Sequence, residues 1–165
     1  MIKRAYFVLI IPAVFILDRV FKILIIRNYF EGEGFPVIRG FFHITRVNNT
    51  GAAFGLLKGY SGALVLISII CVIFLASYLF RNFFSKSNKL AASADPLRGF
   101  NQIAWSLVIG GALGNLYDRI RYGYVIDFLD FRVWPVFNIA DTSICIGIFL
   151  VAAVFLWRGR AQRAE

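Results

Sequence analysis

Tyr60-Ser-Gly-Ala-Leu-Val-Leu-Ile-Ser-Ile-Ile-Cys-Val-Ile-Phe-Leu-Ala-Ser-Tyr-Leu-Phe80 carries no charged side chain from end to end. A helix of about 20 residues crosses the hydrocarbon core of a bilayer, and this stretch is long enough to do so. Three further apolar segments lie at about 5–26, 99–117 and 138–157. Of the 165 residues, 59% are hydrophobic and only 16% charged, more apolar surface than a soluble domain of this size can bury. The expected fold is an all-α membrane protein with four transmembrane helices, forming one membrane domain over residues 1–165.

The basic residues give the orientation. Lys3 and Arg4 precede the first segment, Arg81, Lys86, Lys89 and Arg98 join the second to the third, and Arg158, Arg160 and Arg163 follow the fourth. Both termini are therefore expected in the cytoplasm. The first segment imitates a signal peptide, but no small-residue cleavage site follows it and Asp18, Arg19 and Lys22 interrupt it, so it is read as a retained helix. The net charge of +9 is spread along the chain instead of forming a basic block, which argues against a nucleic-acid partner.

Two outer loops are expected, at about 27–59 and 118–137. In the first, Val37 to Val47 is rich in β-branched and aromatic residues and predicts a short sheet. The second is aromatic (Tyr122, Tyr124, Phe128, Phe131, Trp134, Phe137), which suits the boundary between lipid tails and headgroups. Ser85 to Asp95 reads as a plain inner connection. Cys71 and Cys145 sit in apolar segments and are expected to be small buried hydrophobes. With one histidine, His43, and no cysteine at a ligand spacing from it, no metal site is expected.

Ionisable groups at membrane depth are costly and mark function by default. Asp127, between Ile126 and Phe128, and Asp141, one turn into the fourth segment, should lie at one depth near the outer boundary. Two carboxylates in a poorly solvated site share a proton, so that one activates water while the other polarises a carbonyl, with no metal or cofactor. The alternative is that Asp141 complements a helix dipole and Asp127 pairs with an arginine. Asn138 is a candidate helix N-cap, a role compatible with orienting a carboxylate. Gly110, Gly111 and Gly114 suit close helix packing. Asp118 and Arg119 read as an interfacial charge pair or a solvated helix end, and Asp18 and Lys22 as an i,i+4 pair. Serine or cysteine catalysis lacks a motif and a base. The rival class is a proton- or ion-conducting membrane protein, against which stand the absence of an inverted repeat and of broken helices.

Five blocks, in order, resemble one family: Asp18-Arg-Val-Phe-Lys22, Asn49-Thr-Gly-Ala-Ala-Phe-Gly55, Gly110-Gly-Ala-Leu-Gly-Asn-Leu-Tyr-Asp-Arg119, Gly123-Tyr-Val-Ile-Asp-Phe128 and Phe137-Asn-Ile-Ala-Asp141. The chain is similar to lipoprotein signal peptidases, the bacterial type II signal peptidases. The resemblance implies an inner-membrane aspartyl endopeptidase that cleaves diacylglyceryl-modified prolipoproteins immediately before the lipidated cysteine and is sensitive to globomycin; its expected partners are those substrates and membrane lipids, and it is expected to work as a monomer. It implies Asp127 and Asp141 as the catalytic pair, with Asn49, Gly51, Asn115, Arg119, Asn138, Ala140, Asp18 and Lys22 around them. It also implies a small extracytoplasmic β-cradle and a short amphipathic element over an active site near the outer face. The chain departs from the family at Phe21, where Thr or Ser is usual. On this reading the aromatic stretch 122–137, with Phe128 and Phe131, forms a wall for the substrate lipid.

Overall fold

The computed structural model of the chain describes residues 6–51, 59–84 and 97–161. After a 3-10 turn at Tyr6–Leu9 the elements run α1 (Ile10–Asn28), β1 (Gly34–Ile38), β2 (Phe42–Asn49), α2 (Ser61–Phe84), α3 (Arg98–Tyr122), β3 (Val125–Asp130) and α4 (Ile139–Ala161). Four long helices and one small antiparallel sheet, ordered β1-β2-β3, thus make up the described residues. The inner connection Ser85 to Asp95 and residues 52–55 of the second block lie outside them. No helix is described between Tyr29 and Gly51, and residues 52–58 lie outside the described residues, so the expected amphipathic element is not among those described.

Polarity in the bundle is arranged from the inside out. On α1 the buried residues are Val14, Asp18, Arg19, Lys22 and Ile25, a single face at three- and four-residue spacing. The opposite face exposes Ile16, Leu17, Val20, Phe21, Ile23 and Leu24. A water-soluble helix would do the reverse; in lipid, charges are cheapest where they can pair inside the bundle. Among the described residues, two helices, Ser61–Arg81 and Ile139–Gly159, are by length and composition apolar enough to cross a membrane, against the four expected. Buried polar groups lower the hydropathy of α1 and α3. The two cysteines follow the same rule and correct the sequence expectation: Cys71 and Cys145 are exposed.

Helix α3 packs against α1, α2 and α4. Its glycines make this possible. A Cβ on Gly110 would lie 3.0 Å from the Ile11 carbonyl oxygen, one on Gly111 2.3 Å from that of Ala140, and one on Gly114 2.6 Å from Asp18 Oδ2. The helix ends at Gly123, whose φ of 80° lets its N–H return to the Arg119 carbonyl at 3.0 Å. Asp118 and Arg119 therefore belong to the last turns of α3, not to an outer loop. Beyond Gly123, where an aromatic loop is expected, Val125–Asp130 is a buried strand paired with β2, Asn49 opposite Val125 and Val47 opposite Asp127. The expected sheet from Val37 to Val47 is present as the β1-β2 hairpin.

Candidate active site

Strand β3 and the first turn of α4 bring Asp127 and Asp141 to one cleft. Asn138 organises both. As N-cap of α4 it accepts the Asp141 N–H on Oδ1 at 2.8 Å, and the Asp141 carboxylate answers by accepting the Asn138 N–H at 3.3 Å. Its amide nitrogen donates to Asp127 Oδ1 at 2.7 Å. The second Asp127 oxygen accepts from the Asn49 amide at 2.9 Å, and Asp141 Oδ1 from the Asn115 amide at 2.7 Å. Each carboxylate thus accepts two hydrogen bonds from fixed groups, which removes rotational freedom and leaves the pair preorganised.

Asn115 cannot flip its amide without loss, because its Oδ1 accepts from Lys22 Nζ at 2.9 Å and from Asn138 at 3.1 Å. Lysine only donates, so the oxygen must face it and the nitrogen must face Asp141. Lys22 is fully buried, 2.9 Å from Asp18 and 2.8 Å from Asp118. Asp18 in turn accepts the Ala140 N–H at 3.1 Å, using one of the free donors of the first turn of α4. Ala140 is itself wholly enclosed, against the face of α3 that carries Gly111 and Gly114.

Gly51 and Arg119 work one layer away. The Gly51 N–H donates to Asn49 Oδ1 at 3.0 Å, orienting the amide that holds Asp127. Arg119 donates to the Gly51 carbonyl at 3.2 Å and tethers the segment after β2 to α3. It makes no ion pair with Asp118. Asp118 is wholly buried, pairs with Arg19 and Lys22, and accepts the Ile126 N–H at 3.2 Å. Asp118 and Arg19 were missed as supports: Asp118 holds the strand residue immediately before Asp127. The available signal was its i,i+3 spacing from Asn115 on one helix.

Burial pushes the Asp127 carboxyl up to about 7, reinforced by the charge of Asp141 and opposed by the bonds from Asn49 and Asn138. Around the pair the cleft measures about 1150 Å³, with Asn115 and Arg119 beside the aspartates and Phe131, Trp134, Phe137 and Ile146 on its apolar walls. Phe128 is not part of that wall. It packs with Ile25 and Ile126 on the other side of the strand and stacks on Phe21 at 6.3 Å, so Phe21 has an apolar role in place of a hydroxyl contact.

Comparison with known proteins gives this arrangement a lineage. The profile of the family described as Signal peptidase (SPase) II matches residues 10–157. The chain belongs to the signal peptidase II family. The lipoprotein signal peptidase of Halothermothrix orenii is 41% identical over 152 residues, covering 91% of this chain and 94% of that protein. The one from Moorella thermoacetica is 40% identical over 160 residues, 96% and 98% of the two chains. A bacterial membrane enzyme solved by the in meso method at 2.3 Å superposes with a TM-score of 0.77 at 36% identity, over 92% of this chain and 88% of that one. Membership in the signal peptidase II family makes the chain a peptidase, and the solved relative together with the apolar outer faces of its helices makes it a membrane protein.

Proposed function

We propose that the chain is an intramembrane aspartyl endopeptidase that removes the signal peptide from diacylglyceryl-modified prolipoproteins, cutting immediately before the lipidated cysteine. The observation that carries this is the double duty of Asn138, which donates to Asp127 while capping the turn that holds Asp141. Such an arrangement serves carboxylates that must be held facing a common substrate, and is superfluous for a helix cap alone. The family of the chain supports a peptidase over an ion-conducting protein. In this reading α1 to α4 are four membrane spans of one domain that works as a monomer, both termini are cytoplasmic, and the sheet lies at the outer face of the bacterial inner membrane.

The pair shares one proton. With its carboxyl raised to about 7, Asp127 can carry that proton near neutral pH. The ionised partner takes a proton from a water, whose oxygen attacks the scissile carbonyl, while the protonated partner donates to the carbonyl oxygen. Collapse of the tetrahedral intermediate breaks the C–N bond, and the leaving nitrogen takes a proton back from the pair. Asn49, Asn115 and Asn138 hold the carboxylates; Asp18 and Lys22 hold the asparagines and the start of α4; Gly51, Arg119 and Ala140 maintain the spacing. A substrate whose cysteine carries lipid suits a cleft with apolar walls. Replacing Asp127 and Asp141 separately by Asn and following cleavage of a lipidated prolipoprotein on gels tests the mechanism. A loss of about a thousandfold or more is expected for each, and near-normal cleavage by either variant sinks it.

A further inference from the structure

One wall of the cleft is built from a short excursion between β3 and α4, to which Phe131, Val133, Trp134 and Phe137 contribute. At its tip Val133 is 88% and Trp134 59% exposed. Its base is fastened in two ways. There the Leu129 N–H donates to the Phe137 carbonyl at 2.7 Å and the Phe137 N–H to that of Leu129 at 3.1 Å, closing the loop like a hairpin.

The second fastening is a side chain. Asp130 is buried, accepts the Thr45 hydroxyl from β2 at 3.0 Å and the Arg132 N–H at 2.9 Å, and lies 3.6 Å from Arg132 Nε. Arg132 also reaches His43 Nδ1 on β2. Its φ of 64° is the one positive value at a non-glycine position among the described residues. A side chain held in the left-handed region persists only where its surroundings over-determine it, and such outliers concentrate at ligand-clamping segments. Between the two clamped residues stands Phe131, whose ring centroid is 4.8 Å from that of Phe42 and 5.9 Å from that of Phe137.

We propose that Asp130 is a positioning residue for lipid recognition: by tying Thr45 to the strained turn at Arg132, it sets Phe131 and the loop 131–137 as the surface on which the diacylglyceryl group of the substrate lies. This rests on the function proposed above and adds to it a residue that touches neither the carboxylate pair nor the asparagines holding it. The role is in binding, not in the chemical step.

The test uses the full-length protein in nanodiscs and a lipidated prolipoprotein, comparing wild type with Asp130→Ala, Asp130→Asn and Arg132→Gly. Asp130→Ala should raise KM about tenfold and leave kcat within about twofold, the pattern of lost ground-state and transition-state binding alike. Asp130→Asn, which keeps an acceptor oxygen, should recover most of the loss. Arg132→Gly tolerates the backbone angle but lacks the side-chain contacts, and should raise KM in the same direction. It carries the test if Asp130→Ala fails to fold. The size of the KM effect should change between substrates that differ only in acyl-chain length. Unchanged KM in the folded variants, a fall in kcat at unchanged KM, or a KM effect indifferent to acyl length would each overturn the proposal. Failure of the aspartyl mechanism is separate: it would show as cleavage by Asp127→Asn or Asp141→Asn, whatever Asp130 does.

Discussion

The Asn138 amide nitrogen lies 2.7 Å from Asp127 Oδ1, so the N-cap of one helix is also the hydrogen-bond donor to a carboxylate on a neighbouring strand. Stability and the geometry of the site therefore pass through the same side chain, and substitutions can separate them.

Asn138→Ala should cost about 1 kcal/mol of stability through the lost cap and lower cleavage about a hundredfold through the freed carboxylate. Asn138→Ser restores a cap oxygen but not the amide donor. Thermal inactivation of the serine variant should match wild type while its kcat stays low. Equal recovery of both would mean that the amide contact to Asp127 is incidental.

The Asp127 carboxyl sits at about 7 in the folded protein against an ordinary 3.8. A raised folded-state value means stability that is complete below about 4 and lost as pH rises through about 7, because the buried group must then ionise. Asp127→Asn never ionises. It should match wild type in heat-inactivation half-life in acid and outlast it above neutrality, by an amount on the order of a few kcal/mol or less. Cleavage by the wild type should fall over the same rise, as the pair loses its shared proton. An activity profile flat across neutrality would contradict the shared-proton assignment.

Lys22→Met leaves Asp18 and Asp118 buried beside one another without the cation that both contact. Removing one member of a buried ionic group costs about 3–5 kcal/mol, so yield and thermal stability in detergent should drop severely. Lys22→Arg should not rescue it, since a planar guanidinium cannot replace a compact ammonium that reaches Asp18, Asp118 and Asn115 at once. Rescue by arginine would show that charge alone matters there.

Gly111→Ala would place a methyl 2.3 Å from the Ala140 carbonyl oxygen and force α3 away from α4 one residue before Asp141. Activity should fall at least about tenfold, in line with the sensitivity of reacting geometry to small displacements. Gly62→Ala in α2 meets nothing within 4 Å and should leave cleavage unchanged. Equal activity in the two variants would dismiss close approach of α3 and α4 as a requirement.

Much of this was legible without coordinates. Long apolar runs favour helices in lipid because a helix satisfies its own backbone there, so four long helices could be read from the sequence, of which two among the described residues are apolar enough to cross a membrane. The β-branched run before Asn49 announced the hairpin, and Asp127 and Asp141 were conspicuous as carboxylates set among apolar neighbours. Other features resisted such reading because they depend on partners distant in the chain. Strand β3 looked like an interfacial loop, since its pairing with β2 joins residues about eighty positions apart, as Asn49 with Val125. Phe128 and Phe131 were indistinguishable as aromatics; the pleat of β3 sends Phe128 into the core, while Phe131, just past the end of the strand, lies on the cleft wall. Asp118 read as a companion of its neighbour Arg119 but pairs with Arg19 and Lys22 across the bundle.

Local composition and periodicity thus determined the helices and the hairpin, because those follow from what each segment must do with its own backbone and solvent, and they singled out the two aspartates without assigning their role, which came from the resemblance. The tertiary structure alone decided the direction in which each polar group points, because a buried hydrogen bond is chosen by whichever partner the packing delivers. The aspartates stood out in the sequence as isolated charges. Packed, they are two acceptors in a network that runs from Lys22 through Asn115 and Asn138 to both carboxylates.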